Sequence, residues 1–151
     1  MKKISKILYP TDFSANSVPA AEYARTLAHL AGATVYAVHV VGELADHRRR
    51  MIQPESFAIF EREVETMAVR EMESFCRRHL GEHLGEQISY ETEVVIGTPY
   101  KTILERAREL ACDLIVMGSH GHSGIQEVIF GSTAQRIIRR AKIPVLTVPG
   151  P

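Results

Sequence analysis

Gly118, Gly121 and Gly131, the last followed directly by Ser132 and Thr133, are the residues whose types and spacing point most directly to chemistry. Glycine has no Cβ, so the backbone there can take left-handed dihedrals and can approach a ligand closely. Gly124 lies between the second and third of them. Ala134, Ile137, Ile138 and Ala141 then recur at the spacing of one helix face, so Gly131 and its two hydroxyl neighbours sit where a helix opens. The first amides of a helix lack intrahelical partners and lie at the positive end of its dipole, which suits an anion such as phosphate. Ser132 and Thr133 can donate to phosphate oxygens or reach a bound Mg²⁺. A tight turn and a capped helix would use some of the same residues, but the whole set at this spacing favours the anion site. No lysine stands in the loop, so it is not the phosphate loop of motor and switch ATPases.

Other polar residues have plainer readings beside it. Asp12 follows Pro10 and Thr11 at the end of a short apolar stretch, where a carboxylate can accept from ribose hydroxyls or close an Asx-turn. His120 and His122 could meet phosphate oxygens or a divalent ion, but two loop histidines are a weak metal signal, so no metal ligands are assigned; His122 reads as an exposed polar residue. His39 reads as a core side chain and Arg48 to Arg50 as a solvated loop. Cys76 and Cys112 are isolated and read as buried reduced thiols, which fits the cytoplasm.

Gly118, two residues, Gly121, nine residues, Gly131 and then Ser132 resemble the nucleotide-binding signature of the universal stress protein family, in its ATP-binding branch. The resemblance runs from the Lys6–Ser14 opening to the Ile143–Val148 ending. It implies ATP, with Mg²⁺ or Mn²⁺, as the bound cofactor. Main-chain groups of Val41 would read the adenine edge, and Met117 and Pro10 would give apolar contact to ring and sugar. Asp12, beside Thr11, would take the ribose, and Gly118, His120, Gly121, Gly131, Ser132 and Thr133 would hold the phosphates, mostly through N–H groups. A homodimer through Ile143 to Val148 is also implied. The function expected is a nucleotide-dependent regulatory module in the stress response, with at most slow hydrolysis, since no general base or arginine finger is evident. A nucleotide-transferring or adenylating enzyme on the same scaffold is the alternative. A flavin electron carrier fits less well, because the chain has no Trp and its glycines follow the fourth strand.

The elements that must position these residues alternate along the chain. Ile4–Tyr9, Thr34–Val41, Ile88–Ile96, Leu114–Met117 and Ile143–Val148 read as strands. Between them, helical faces are marked by Ala20, Ala21, Ala24, Leu27, Ala28 and Ala31, and by Ile103, Leu104, Ala107, Leu110 and Ala111. A long helix from Glu55 to Leu80 carries Phe60, Val64, Met67, Ala68, Met72, Phe75 and Cys76 as a core stripe. Glu91 and Glu93 are expected to face out from an edge strand. Such alternation predicts a single α/β domain over 1–151, Rossmann-like and similar to the adenine nucleotide alpha hydrolase-like fold, with an open parallel sheet and helices on both faces. The resemblance gives its five strands the order 3-2-1-4-5.

The bulk numbers agree with one soluble domain: 151 residues, 45% hydrophobic and 24% charged. Eighteen basic residues balance eighteen acidic ones, so no global charge calls for nucleic acid or a membrane surface. No apolar run approaches the roughly 20 residues of a membrane span. The regulated protein partner is not readable.

Overall fold

Ile7, Leu8 and Tyr9 are wholly buried, the mark of a strand covered on both faces. In the computed structural model, which describes residues 1–42, 53–81, 87–121 and 130–151, they belong to β1 (Lys6–Pro10) at the centre of the sheet. A short 3₁₀ turn (Ala15–Ser17) leads into α1 (Val18–Ala31), then β2 (Thr34–Gly42) and α2 (Pro54–His79). β3 (Ser89–Gly97), α3 (Pro99–Glu109), β4 (Leu114–Gly118), α4 (Ser132–Arg140) and β5 (Val145–Val148) complete the chain. All strand pairs are parallel, in the order β3-β2-β1-β4-β5.

Period-two alternation divides the core in two. Ile7, Tyr9, Val35, Ala37, Leu114 and Val116 meet α1 and α2 on one face. Leu8, Val38, Ile115 and Met117 meet Ile103 and Ala107 of α3 and Ala134 and Ile137 of α4 on the other. Ala20, Ala21, Ala24 and Ala28 let α1 lie close to the sheet. Gly32, with φ of 63°, ends it in the left-handed cap that glycine takes without strain.

Four expectations change. Phe60 and Met67 are 46% and 70% exposed, because the part of α2 that packs lies around Ala68, Met72, Phe75 and Cys76. With 26 residues α2 is about 39 Å long, against roughly 30 Å for the nine-residue strands beneath it, so it overhangs the sheet. Ala31 is exposed at the last position of α1. Ala111 lies beyond the end of α3 and is exposed, with φ of 53°. Glu93 does not face solvent freely, since its Oε2 pairs with Arg106 of α3 at 2.8 Å. The loop residues 43–52, including Arg48 to Arg50, and His122 and Gly124 lie outside the described residues.

Candidate functional site

The winding reverses at β1, whose neighbours β2 and β4 lead the chain away in opposite directions, and the carboxyl ends of those strands leave a crevice. A cleft of about 320 Å³ opens there. Pro10, Thr11 and Asp12 line one wall, Met117, Gly118, His120 and Gly121 another, and Gly131, Ser132 and Thr133 a third. Val38, His39, Val40, Pro99, Ile103 and Ala134 also contribute. These could not be found by motif, because Pro99 and Ile103 arrive only through the crossover of α3.

Val41 is not among the lining residues, and alternation explains why. Thr11 N–H donates to the Val38 carbonyl at 2.9 Å, so the main-chain polar groups of Val38 face β1. Two residues on, those of Val40 face the same way, past the end of β1 and over the cleft. Those of Val41 turn toward β3, whose Ile96 is its register partner. The residue of this strand end whose main chain overlooks the cleft is therefore Val40.

A buried hydroxyl relay fixes the loop after β1. Ser17 Oγ donates to the Ser14 carbonyl at 2.8 Å, so Thr11 supplies the proton in its 2.9 Å bond to Ser17 Oγ. Thr11 Oγ1 in turn accepts the Phe13 amide at 3.1 Å, and Tyr9 OH donates to the Ser17 carbonyl at 2.8 Å. Burial pushes the Tyr9 phenol up to about 12, so it stays a neutral donor. His39 Nδ1 lies 2.8 Å from the Thr11 carbonyl, which can only accept, so that nitrogen carries a proton. Phe13, held at φ of 64°, stacks its ring on His39 with centroids 4.1 Å apart. A bulky residue in that region is strained, and such strain collects at functional loops.

Asp12 is turned by the same loop. Its Oδ1 accepts Ser14 N–H at 3.0 Å and Ser14 Oγ–H at 2.5 Å, an Asx-turn. Its Oδ2 faces Gly121, where a Cβ would come within 2.6 Å. Asp12 thus closes an Asx-turn with one oxygen, while the other lies against the glycine loop.

The glycines act through space rather than dihedrals. Among the described residues Gly32 is the glycine with positive φ, and Gly118, Gly121 and Gly131 have none. A Cβ at Gly118 would meet the Asn16 carbonyl oxygen at 2.9 Å, whereas at Gly131 the nearest atoms lie at 3.5 Å. Gly131 N–H donates to the Ser119 carbonyl at 2.7 Å, tying the two arms of the loop together, so it is not a phosphate donor. Ser119 N–H is held by the Val148 carbonyl at 2.9 Å, and Ser119 Oγ lies 2.9 Å from His120 Nδ1. The helix start has no side-chain cap, which leaves the amides of Ser132, Thr133 and Ala134 at the positive end of α4 facing the cleft.

Among the described residues no lysine or arginine lines the cleft. Arg136 and Arg140 of α4 instead lie over the Tyr100 ring at 5.0 and 5.2 Å. No group of three potential metal ligands occurs among the described residues. Cys76 and Cys112 are buried and unpaired by disulfide, and burial pushes their thiols up to about 12 and about 11, so neither offers a thiolate. A second hollow, of about 420 Å³, lies at the other end of α3 and α4 between Leu104, Ile115, Arg140 and Ile143.

The model of the universal stress protein family matches residues 3–149. The chain belongs to the universal stress protein family. Among its relatives, universal stress protein MJ0577 of Methanocaldococcus jannaschii is 28% identical, with 95% of this chain and 93% of that protein covered. Universal stress protein MJ0531 of the same organism is 33% identical over 97% of this chain and 82% of its own. The solved structure of MJ0577 superposes with a TM-score of 0.77, covering 97% of this chain and 96% of its own at 29% identity. A universal stress protein solved in complex with cAMP, 21% identical, gives 0.71 over 99% of this chain and 100% of its own, a likeness of fold. Among the described residues of this family member, no helix is long and apolar enough to cross a membrane.

Proposed function

We propose that this universal stress protein binds an adenine nucleotide, ATP in the first place, in the cleft at the ends of β1, β2 and β4, and serves as a nucleotide-dependent regulatory module of the stress response. The observation that carries this reading is the uncapped start of α4, with the amides of Ser132, Thr133 and Ala134 facing a crevice that holds Asp12 on its other wall. The main chain of Val40 would meet the base, and Pro10 and Met117 the ring and sugar. Asp12 Oδ2 would accept from the ribose. The phosphates would lie between the helix start and the Gly118 to Gly121 arm, with Ser132 and Thr133 hydroxyls available to them or to a bound Mg²⁺. The family relative solved with cAMP supports an adenine ligand for the fold. The divalent ion, when bound, would neutralise phosphate charge that no lysine or arginine among the described lining residues offsets.

Catalysis is not what this cleft is built for. Among the described residues the titratable side chains lining it are Asp12, His39 and His120; Asp12 is occupied by Ser14, and His39 Nδ1 by Thr11. Hydrolysis would then be slow, and the module would act by switching its own assembly or a protein partner in the cytoplasm. The free edge of β5 would pair with a second copy across a two-fold axis, which would protect that edge.

Isothermal titration calorimetry with ATP and Mg²⁺ tests the reading. Binding with a Kd on the order of micromolar is expected; an absence of heat at millimolar nucleotide refutes it. Light scattering tests the assembly. Twice the chain mass of 16.9 kDa is expected, and a mass equal to one chain overturns the dimer.

A further inference from the structure

We propose that Asn16 is a positioning residue for the anion site, holding the glycine loop in its anion-accepting form through the carbonyl of Gly121. The inference rests on the nucleotide reading of the cleft and adds to it a residue that no motif marks.

Asn16 Nδ2 donates to the Gly121 carbonyl at 2.9 Å, a partly buried bond that joins the first turn of the chain to the loop after β4. The turn that presents Asn16 is itself pinned, since Ser17 beside it bonds Tyr9, Thr11 and Ser14. The chain closes around the same residue from two sides. A Cβ at Gly118 in the loop would lie 2.9 Å from the Asn16 carbonyl oxygen, and one at Gly150, after β5, would lie 2.3 Å from Asn16 Oδ1.

The chemistry follows from what a peptide presents to phosphate. An N–H aimed at the anion attracts it, and a carbonyl oxygen aimed there repels it. A peptide at glycine rotates with little steric resistance, so a glycine-rich wall needs something to fix which group it shows. The Asn16 amide does this by taking the Gly121 oxygen. A side chain at Gly121 would instead displace the Asp12 carboxylate, whose Oδ2 would lie 2.6 Å from its Cβ.

Asn16→Ala and Asn16→Leu are titrated with ATP and with adenosine, beside the wild type. Both variants lack the donor, and leucine restores the bulk. The affinity for ATP is expected to fall about tenfold or more in each, while that for adenosine stays within about twofold, the phosphates alone being affected. An equal loss for both ligands, or recovery of ATP binding by leucine, makes Asn16 a packing residue and overturns the proposal. Backbone relaxation dispersion at Gly118 and Gly121 in the ligand-free protein gives an independent reading. New exchange in Asn16→Ala is expected, and its absence overturns the proposal whatever the nucleotide result. A wild type that binds no ATP would refute the nucleotide reading, not the bracing of the loop.

Discussion

Gly131 separates what the loop needs for folding from what it needs for binding. Its φ of −65° and ψ of 159° are ordinary for any residue. A Cβ there would lie 3.5 Å from the His120 Cα and the Ser119 oxygen and 3.6 Å from the Gly121 nitrogen, all normal contacts. Gly131→Ala therefore costs nothing in packing and removes about 0.4–1 kcal/mol of unfolded-chain entropy, but Gly131 is the N-cap of α4, where alanine is worse than glycine by a similar amount. For a chain of this size Tm is expected to stay within about 2 °C. Binding does change. The new methyl group stands between the His120–Gly121 arm and the start of α4, where the phosphates are proposed to sit. Losing one or two charge-assisted hydrogen bonds there costs about 1.5 to 3 kcal/mol each, a weakening of about tenfold to a hundredfold or more. Calorimetric titration with ATP and a thermal melt on the same sample give both numbers. An unchanged Kd with an unshifted Tm would refute the placement of the phosphates, and a sharply lowered Tm would refute the steric argument.

Three further outcomes follow from single residues. Ala111 occupies the left-handed position after α3, with Cys112 N–H bonded to the Ala107 carbonyl at 2.9 Å. Ala111→Gly is expected to stabilise by about 1 kcal/mol in urea unfolding, and a loss of stability would contradict it. Asp113 Oδ2 accepts the amides of Ser5 and Lys6 at 2.8 and 3.0 Å, and these bonds hold its carboxyl below the ordinary value of 3.8. Because the folded value is the lower one, this contribution is complete above that value and fades as pH falls through the folded one. Asp113→Asn should thus lower the urea midpoint at pH 7 more than at pH 3; an equal loss at both would show that ionisation is irrelevant. Cys76 and Cys112, buried with thiols raised to about 12 and about 11, should react with iodoacetamide at pH 8 only as fast as the protein opens. Labelling independent of added denaturant would contradict their burial.

The fold was legible because its signals are local and repeated. Apolar runs such as Leu114 to Met117 declare a doubly covered strand, and the alanines of α1 declare a helix against it. What could not be read depended on distance in the chain. The exposure of Phe60 and Met67 is set by which side of α2 the sheet covers, since both lie off the stripe of Ala68, Met72, Phe75 and Cys76. The turning of Glu93 depends on Arg106 of α3, and whether Val40 or Val41 faces the cleft depends on where β1 stops. Ten of the eleven residues expected at the site do line one cleft, since glycines and hydroxyls at a helix start are visible by spacing. Asn16 and His39 escaped, because an asparagine in a turn and a histidine in a strand carry no such pattern. Of the two properties expected of these glycines, Gly118 and Gly121 do not use left-handed dihedrals; the structure shows them where space is tight.

The central claim is that main-chain amides, with no lysine or arginine among the described lining residues, hold the phosphates. Amide chemical shifts recorded while the ¹⁵N-labelled protein is titrated with ATP, and separately with adenosine, test it most directly. Large shifts at Ser132, Thr133 and Ala134 with ATP but not with adenosine are predicted. Shifts that spare these three amides, or that gather instead around Arg140 and Ile143 at the second hollow, would contradict it.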